Sequence, residues 1–316
     1  MNKKHKSISY AKWGYIFIIP FFVVYIIFSL IPTLSTFYYS FLDKGFDPVA
    51  FENYEKFVGI ENYKNLLSPN DSGSIVFFRY FGNTIIMWLL GAIPQLLFSL
   101  LLAIIFTSAR LKIKGQRFFK TVIYMPNLIM AASYSLLFVS LFSDIGPINA
   151  IIKAISGETF TFLANPWGVR GVVAFVNFIM WFGNTTILLM AGIMGIDQSL
   201  FEAAQIDGAT GGQVFFKITL PLLMPILVYV AITSLIGGLQ MFDVPQIMRI
   251  QATPVESSKT MIMYLNNLIT GASRQYGLGG ALSVLIFAVT GVLSLIVYKT
   301  MVTSPDKAKS KKKKAK

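Results

Sequence analysis

The sequence predicts an all-α membrane protein with six transmembrane helices and both termini in the cytoplasm. Three observations support this prediction. Hydrophobic residues make up 55% of the 316 residues and charged residues only 13%, about half the charged share of soluble domains. Cutting the chain at its charged residues leaves six uncharged stretches long enough to cross a bilayer. Most of the basic residues fall on one side of these stretches.

The transmembrane domain is predicted over residues 13–301. We expect helices because lipid cannot hydrogen-bond an exposed backbone. The first apolar run, Tyr15–Leu34, is longer than a signal-peptide core and no A-x-A pattern follows it, so we expect a retained anchor. The spans are predicted at about 14–38, 81–108, 119–142, 171–194, 218–242 and 277–300.

Basic residues predict the orientation. The side that holds both termini has eighteen Lys or Arg residues and four acidic ones, whereas the other side has nine and ten. A basic N-terminal tail (1–12) and a basic C-terminal tail (302–316) are therefore expected in the cytoplasm. Solvated tails near anionic lipid account for the net charge of +13 without any binding of nucleic acid.

The absence of cysteine and the presence of a single histidine exclude disulfide scaffolds and thiolate metal sites. The spans also carry no ionisable residue near mid-depth, which disfavours carriers driven by protons or sodium.

The cytoplasmic loop 195–217, between spans four and five, predicts a short capped helix. Asp197 is placed to cap its N-terminus, and Gly208 suits the left-handed conformation that ends a helix. The apolar side of this helix is predicted from Leu200, Phe201, Ala204 and Ile206.

The same loop carries a long motif, E-A-A-x-x-D-G-A, followed by an aromatic residue and I-x-L-P-x-x-x-P. It resembles the EAA loop of binding-protein-dependent ABC transporter permeases. F-x-G-x-x-N-Y at 57–63 and the glycine-rich segment 276–283 resemble the carbohydrate-importer branch, and the six spans resemble its MalF-like first permease subunit. One departure is Ile196-Asp197, where many relatives have I-P. The resemblance implies a MetI-like helical bundle.

The resemblance also implies a function. The chain would be the permease subunit of an ATP-driven sugar importer in the bacterial inner (cytoplasmic) membrane, and would form half of the translocation path. Coupling to an ATPase would use Glu202, Ala203, Ala204, Asp207 and Gly208.

The expected partners are a second homologous permease subunit, a cytoplasmic ABC ATPase dimer, an extracytoplasmic solute-binding protein, a sugar or oligosaccharide, and membrane lipid. The sequence has no Walker A pattern. We therefore expect no enzymatic activity and no cofactor or metal of its own, with ATP and Mg bound by the partner ATPase. A heterodimer with the second permease is implied, and a homodimer stays open.

Polar residues within the spans are candidates for the solute path. In span four, Asn177, Trp181, Asn184 and Thr185 share one helical face. Span five offers Ser234, Gly237, Gly238 and Gln240. Amides and hydroxyls can hydrogen-bond to sugar hydroxyls, and an indole can stack on a sugar ring. The same polar residues can instead form hydrogen bonds between helices, and Trp181 could instead be an anchor at the lipid interface.

Three other functions stay open. The same architecture could carry a non-sugar solute, or the chain could be an ion-coupled carrier that works alone. A membrane-embedded enzyme would need a catalytic cluster facing the bundle, but the cytoplasmic acids Asp197, Glu202 and Asp207 all lie in the loop.

Overall fold

A computed structural model describes residues 11–69, 73–108, 114–251 and 256–302. Two of the predicted regions lie almost wholly outside these residues: the basic tails at 1–12 and 302–316. Part of the second cytoplasmic loop, residues 109–113, also lies outside them. The described chain is mostly helical, as predicted, with one two-stranded hairpin that the sequence does not predict.

Six described segments are long and apolar enough to cross a membrane, which agrees with the predicted number. The third begins later than predicted, and the fifth begins earlier. The segments are Lys12–Tyr39, Val76–Thr107, Ala131–Ser156, Pro166–Met194, Gly211–Arg249 and Tyr276–Val302.

The chain divides into two compact units. The first contains residues up to Ser68 together with Leu265–Leu285. It starts with helices α1 (Ala11–Tyr25) and α2 (Ile31–Tyr39), joined by one π-helical turn. Every residue from Lys12 to Leu34 is exposed. An apolar helix exposed on all sides is suited to contact with lipid.

An antiparallel hairpin follows in this unit, with strands β1 (Leu42–Asp47) and β2 (Glu52–Phe57), then helix α3 (Glu61–Leu67). The buried Asn62 side chain donates hydrogen bonds to the backbone carbonyls of Ser40 and Leu42, at 3.0 and 2.8 Å. Gly277 packs directly against the Leu42 carbonyl, so no larger residue would fit there.

The second unit contains residues 69–264 and those from Ile286 onward. Its central pair is α4 (Val76–Thr107) and α8 (Pro166–Met194). A Cβ at Gly91 of α4 would lie 2.9 Å from the Ala174 carbonyl of α8, so glycine is what allows these backbones to approach closely. The other helices of this unit are α5 (Gln116–Leu128), α6 (Ala131–Phe142), α7 (Pro147–Ser156), α9 (Gln198–Ile206), α10 (Gly211–Val214), α11 (Leu220–Leu239) and α12 (Asp243–Gln251). Two further helices, α13 (Met261–Thr270) and α14 (Tyr276–Val302), have residues in both units.

The third predicted span is wrong as a single helix over 119–142. The structure ends α5 at Leu128 and starts α6 at Ala131, with extended backbone at Ile129 and Met130. Pro126 removes a backbone donor from the last turn of α5. The Asn127 side chain instead donates to the Met180 carbonyl of α8, at 3.1 Å.

The fifth span begins earlier than the predicted residue 218. Thr210 and Gln213 form a capping box, so helical structure starts at Gly211. It continues through a π-helical turn, Phe215–Thr219, directly into α11. The last seven residues of the predicted loop 195–217 therefore belong to the helical segment that leads into α11.

Candidate functional site

Helix α9 carries the EAA motif and is capped at its N-terminus by a side chain. The Asp197 carboxylate accepts a hydrogen bond from the Ser199 backbone N–H at 2.9 Å. This bond holds the pKa of the Asp197 carboxyl below its ordinary value, because it stabilises the ionised form. The predicted N-cap is confirmed.

The C-terminus of α9 ends at a left-handed glycine, as predicted. Gly208 has a φ of +71°. Its backbone N–H donates to the Gln205 carbonyl at 3.1 Å, and the next one, from Ala209, donates to the Ala204 carbonyl at 2.9 Å. These two bonds form a Schellman motif. The turn fixes the direction in which the chain leaves α9.

One side of α9 packs against the protein and the other is free. Ala204 is buried and Phe201 is half-buried. Two members of the predicted apolar side, Leu200 and Ile206, are exposed, and Ile206 is 87% exposed. The free surface also includes Glu202, Ala203, Asp207 and Gly208. It combines small, apolar and acidic groups.

A cavity of about 270 Å³ lies among α4, α8 and α11. Seven of the eight predicted path residues line it. No Asp, Glu, Lys, Arg or His stands among the described residues of its lining. The predicted residues that line it are Asn177, Trp181, Asn184, Thr185, Ser234, Gly237 and Gly238.

Gln240 does not line this cavity. It is the residue at which α11 ends, with φ −94° and ψ 10°, and it is exposed. The helical face that carries Ser234 and Gly237 therefore stops before Gln240. Its inclusion in the path assumed that the helix continued.

Helix α4 supplies a wall that the sequence does not predict. Trp88 lines the cavity and donates from Nε1 to the Ser234 hydroxyl at 3.2 Å. Gly238 lies against this indole and has no room for a side chain. Gln95 lines the cavity and donates to the Thr185 hydroxyl at 2.8 Å. Trp88 and Gln95 stand at i and i+7 in span two, a spacing that would have indicated a shared face.

Comparison with known proteins identifies the family. The family described as binding-protein-dependent transport system inner membrane component matches residues 84–304. The chain belongs to this family. It is therefore a transport subunit rather than a catalytic one, as the motif predicts.

Relatives match over most of the chain. The lactose transport system permease protein LacF of Rhizobium radiobacter is 29% identical and covers 90% of this chain and 92% of its own. The trehalose/maltose transport system permease protein MalF of Thermococcus litoralis is 29% identical, with 91% and 92% covered. These relatives agree with the predicted carbohydrate branch.

The fold is also shared with a solved structure, a bacterial ABC transporter involved in the import of the acidic polysaccharide alginate. The TM-score is 0.72 at 23% identity, covering 92% of this chain and 95% of that one. Together with the family, it confirms the predicted MetI-like class of permease fold.

In this permease, a polar network holds the segment before α13 against α4 and α8. Asn83 of α4 donates to the backbone carbonyls of Glu256 and Lys259, at 2.9 and 3.1 Å. Its own carbonyl accepts a 2.7 Å bond from Arg170 of α8. The Thr260 hydroxyl donates to the Met241 carbonyl at 2.9 Å, and Met241 lines the cavity. The network therefore supports one end of the cavity.

Lys259 is a partly buried cation beside this network. Its Nζ lies 4.8 Å from the centre of the Tyr80 ring. Loss of solvation lowers the pKa of Lys259, and the nearby Arg249 and Arg79 lower it further, although Glu256 opposes this. Within the described residues, no group of His, Cys, Asp and Glu side chains could hold a metal ion.

Proposed function

We propose that this permease subunit imports a neutral sugar or oligosaccharide and forms half of its path through the membrane. The observation that carries the proposal is the polar but uncharged cavity among α4, α8 and α11. Relatives named for lactose and for trehalose/maltose transport support a sugar over another solute.

The chemistry of the cavity suits a sugar. Asn184 offers amide donors and an acceptor, and Ser234 and Thr233 offer hydroxyl groups, which can bond to sugar hydroxyls. The exposed rings of Trp181 and Tyr229 can cover the apolar face of a pyranose. An ion would find no opposite charge here, so an uncharged solute is favoured.

The cavity is incomplete in one chain. Trp181, Tyr229, Thr233 and Gly237 line it and are also exposed. A wall made of exposed residues is completed when a second surface faces it. In our proposal this surface belongs to a second, homologous permease subunit.

Helix α9 would couple the path to a cytoplasmic ABC ATPase dimer. Its free surface places the acidic Glu202 and Asp207 beside the small Ala203, which allows a partner surface to approach closely. The buried Ala204 would hold α9 against the bundle, and the turn at Gly208 would transmit its movement to α11. ATP and Mg would bind to the ATPase, and this chain would carry no cofactor.

The charge distribution supports a bacterial cytoplasmic membrane location with α9 and both termini inside. A solute-binding protein would then deliver sugar to the other side and would dock on the outer loops of this chain.

Reconstitution tests the proposal. The permease would be co-expressed with the ATPase, second permease and binding protein encoded by neighbouring genes, and placed in proteoliposomes. We expect ATP-dependent uptake of at least one neutral sugar that needs the binding protein. Uptake driven by a proton or sodium gradient without the ATPase would contradict the proposal.

A further inference from the structure

A second cavity, of about 400 Å³, lies beside α9 and away from the path cavity. Its walls come from the ends of α4 and α8, from α9, and from the start of the helical segment that begins at Gly211. A volume of this size lies within the range of sites for small molecules. Neither the family nor its relatives' names assign a function to this cavity.

One face of α9 closes the cavity. Gln198, Phe201 and Gln205 line it, and they stand at i, i+3 and i+7 of the same helix. Glu202 and Ala203, on the proposed ATPase-facing surface, do not line it; Phe201 is half-buried at the cavity, whereas Gln198 and Gln205 stand at its exposed edge. A molecule in the cavity would therefore contact the coupling helix from behind.

Thr219 indicates that the cavity has a polar occupant. It is only 6% exposed and lines the cavity. Threonines elsewhere in these helices donate to the carbonyl four residues earlier, as Thr186 and Thr233 do at 2.8 Å. The Thr219 hydroxyl makes no such bond to any described residue, and it ends the π-helical turn Phe215–Thr219. This hydroxyl therefore opens into the cavity with its hydrogen-bonding capacity available to an occupant.

The rest of the lining has the same chemistry. Ser108 and the amides of Gln198 and Gln205 also face the cavity without a side-chain hydrogen bond to the described residues. Phe201 and Phe215 add apolar rings. The described lining contains no Asp, Glu, Lys, Arg or His. Burying an ion here would cost solvation with no opposite charge in return.

We propose that this cavity binds a small neutral polyhydroxylated molecule of the sugar class and that its occupancy slows transport. This proposal rests on the proposed function, which places α9 on the cytoplasmic side, where imported sugar accumulates. A bound molecule would tie α9 to the ends of α4 and α8 and restrict its movement. Because binding and movement are linked, the ligand favours the position of α9 in which the cavity is closed around it.

Single cysteines test the binding directly, since the natural chain has none. In the assembled importer, Ser108→Cys would be labelled with a maleimide with and without maltose, lactose or arabinose. At a sugar concentration ten times the dissociation constant, labelling should slow about tenfold. Ser199→Cys is the matched control, because Ser199 lies in α9 next to the lining residue Gln198 but does not line the cavity, and its labelling should not change.

Transport tests the consequence. Proteoliposomes loaded with the protecting sugar should show slower ATP-dependent uptake than empty ones. Thr219→Val, which removes one hydroxyl, should raise the inhibitory concentration about fivefold. Galacturonate, a sugar acid, should neither protect Ser108→Cys nor inhibit.

The outcomes separate the two proposals. If uptake occurs but no sugar protects Ser108→Cys or slows transport from inside, the cavity proposal is overturned and the importer stands. If a sugar protects Ser108→Cys but no sugar is taken up, the importer proposal is overturned and the binding site stands.

Discussion

Replacing Gly208 tests whether the turn after α9 is needed for coupling. Its φ of +71° is unfavourable for residues with a side chain, yet a Cβ there would meet no atom within 4 Å. The effect of Gly208→Val therefore comes from the backbone rather than from a clash. The left-handed conformation costs an L-residue about 1–2 kcal/mol, which lowers the ratio of intact to disrupted turn by about 5- to 30-fold, the upper limit of the loss in uptake.

ATP-dependent uptake into proteoliposomes should fall by up to this factor, with the amount of inserted permease unchanged. Recovery of the ATPase with the tagged permease would be measured in the same samples. Gly208→Asn should keep most of the uptake, since Asn tolerates left-handed backbone far better than Val. Gly212→Ala is the matched control because Gly212 is helical and open to solvent, and alanine favours a helix.

Equal uptake by the Val and Asn variants would refute the reasoning, since the two differ chiefly in their tolerance of this backbone conformation. Loss of insertion in both would show that the turn is needed for folding rather than for coupling.

Three further changes test the path and the packing. Trp181→Ala should raise the KM for uptake while Trp181→Phe keeps most of the affinity, and unchanged kinetics in both would remove the indole from the path. Gly183→Leu should lower the Tm of the detergent-solubilised permease. Gly183 lies against the Ile123 backbone of α5, so a leucine there would force α8 and α5 apart. An unchanged Tm would contradict this contact. The pKa of Lys259 is lowered in the folded protein, so the free energy of unfolding should rise with pH between that pKa and the ordinary value of 10.5. Lys259→Met should flatten this rise when Tm is measured as a function of pH. Parallel Tm curves for the wild type and the variant would show that Lys259 does not cause the rise.

Much of the fold could be predicted because the lipid environment imposes simple rules. Uncharged stretches predict spans whatever their internal contacts, so six spans were found from charge alone. The break at Ile129–Met130 was not, because it depends on Asn127 reaching the Met180 carbonyl of a distant helix. The hairpin at 42–57 was missed because its residues are mostly charged or polar and read as a loop.

The lining of the cavity among α4, α8 and α11 could likewise be predicted only in part. The four polar residues of α8 that were singled out all line the cavity, because they repeat at helical spacing on one face. Trp88 and Gln95 were missed because their role depends on how closely α4 approaches α8, and this follows from Gly91 meeting a backbone carbonyl. Gln240 does not line the cavity because α11 ends at this residue, and the sequence carries no strong signal for that end.

The first helix has a practical consequence for handling the protein. From Lys12 to Leu34 none of its residues is covered by the rest of the chain, over a length of about 34 Å at 1.5 Å per residue. That length matches a bilayer interior of roughly 30 Å. Short-chain detergents would leave part of this apolar segment exposed to water and prone to self-association. Nanodiscs would cover its full length. Preparations should therefore stay monodisperse only in the thicker hydrophobic environment.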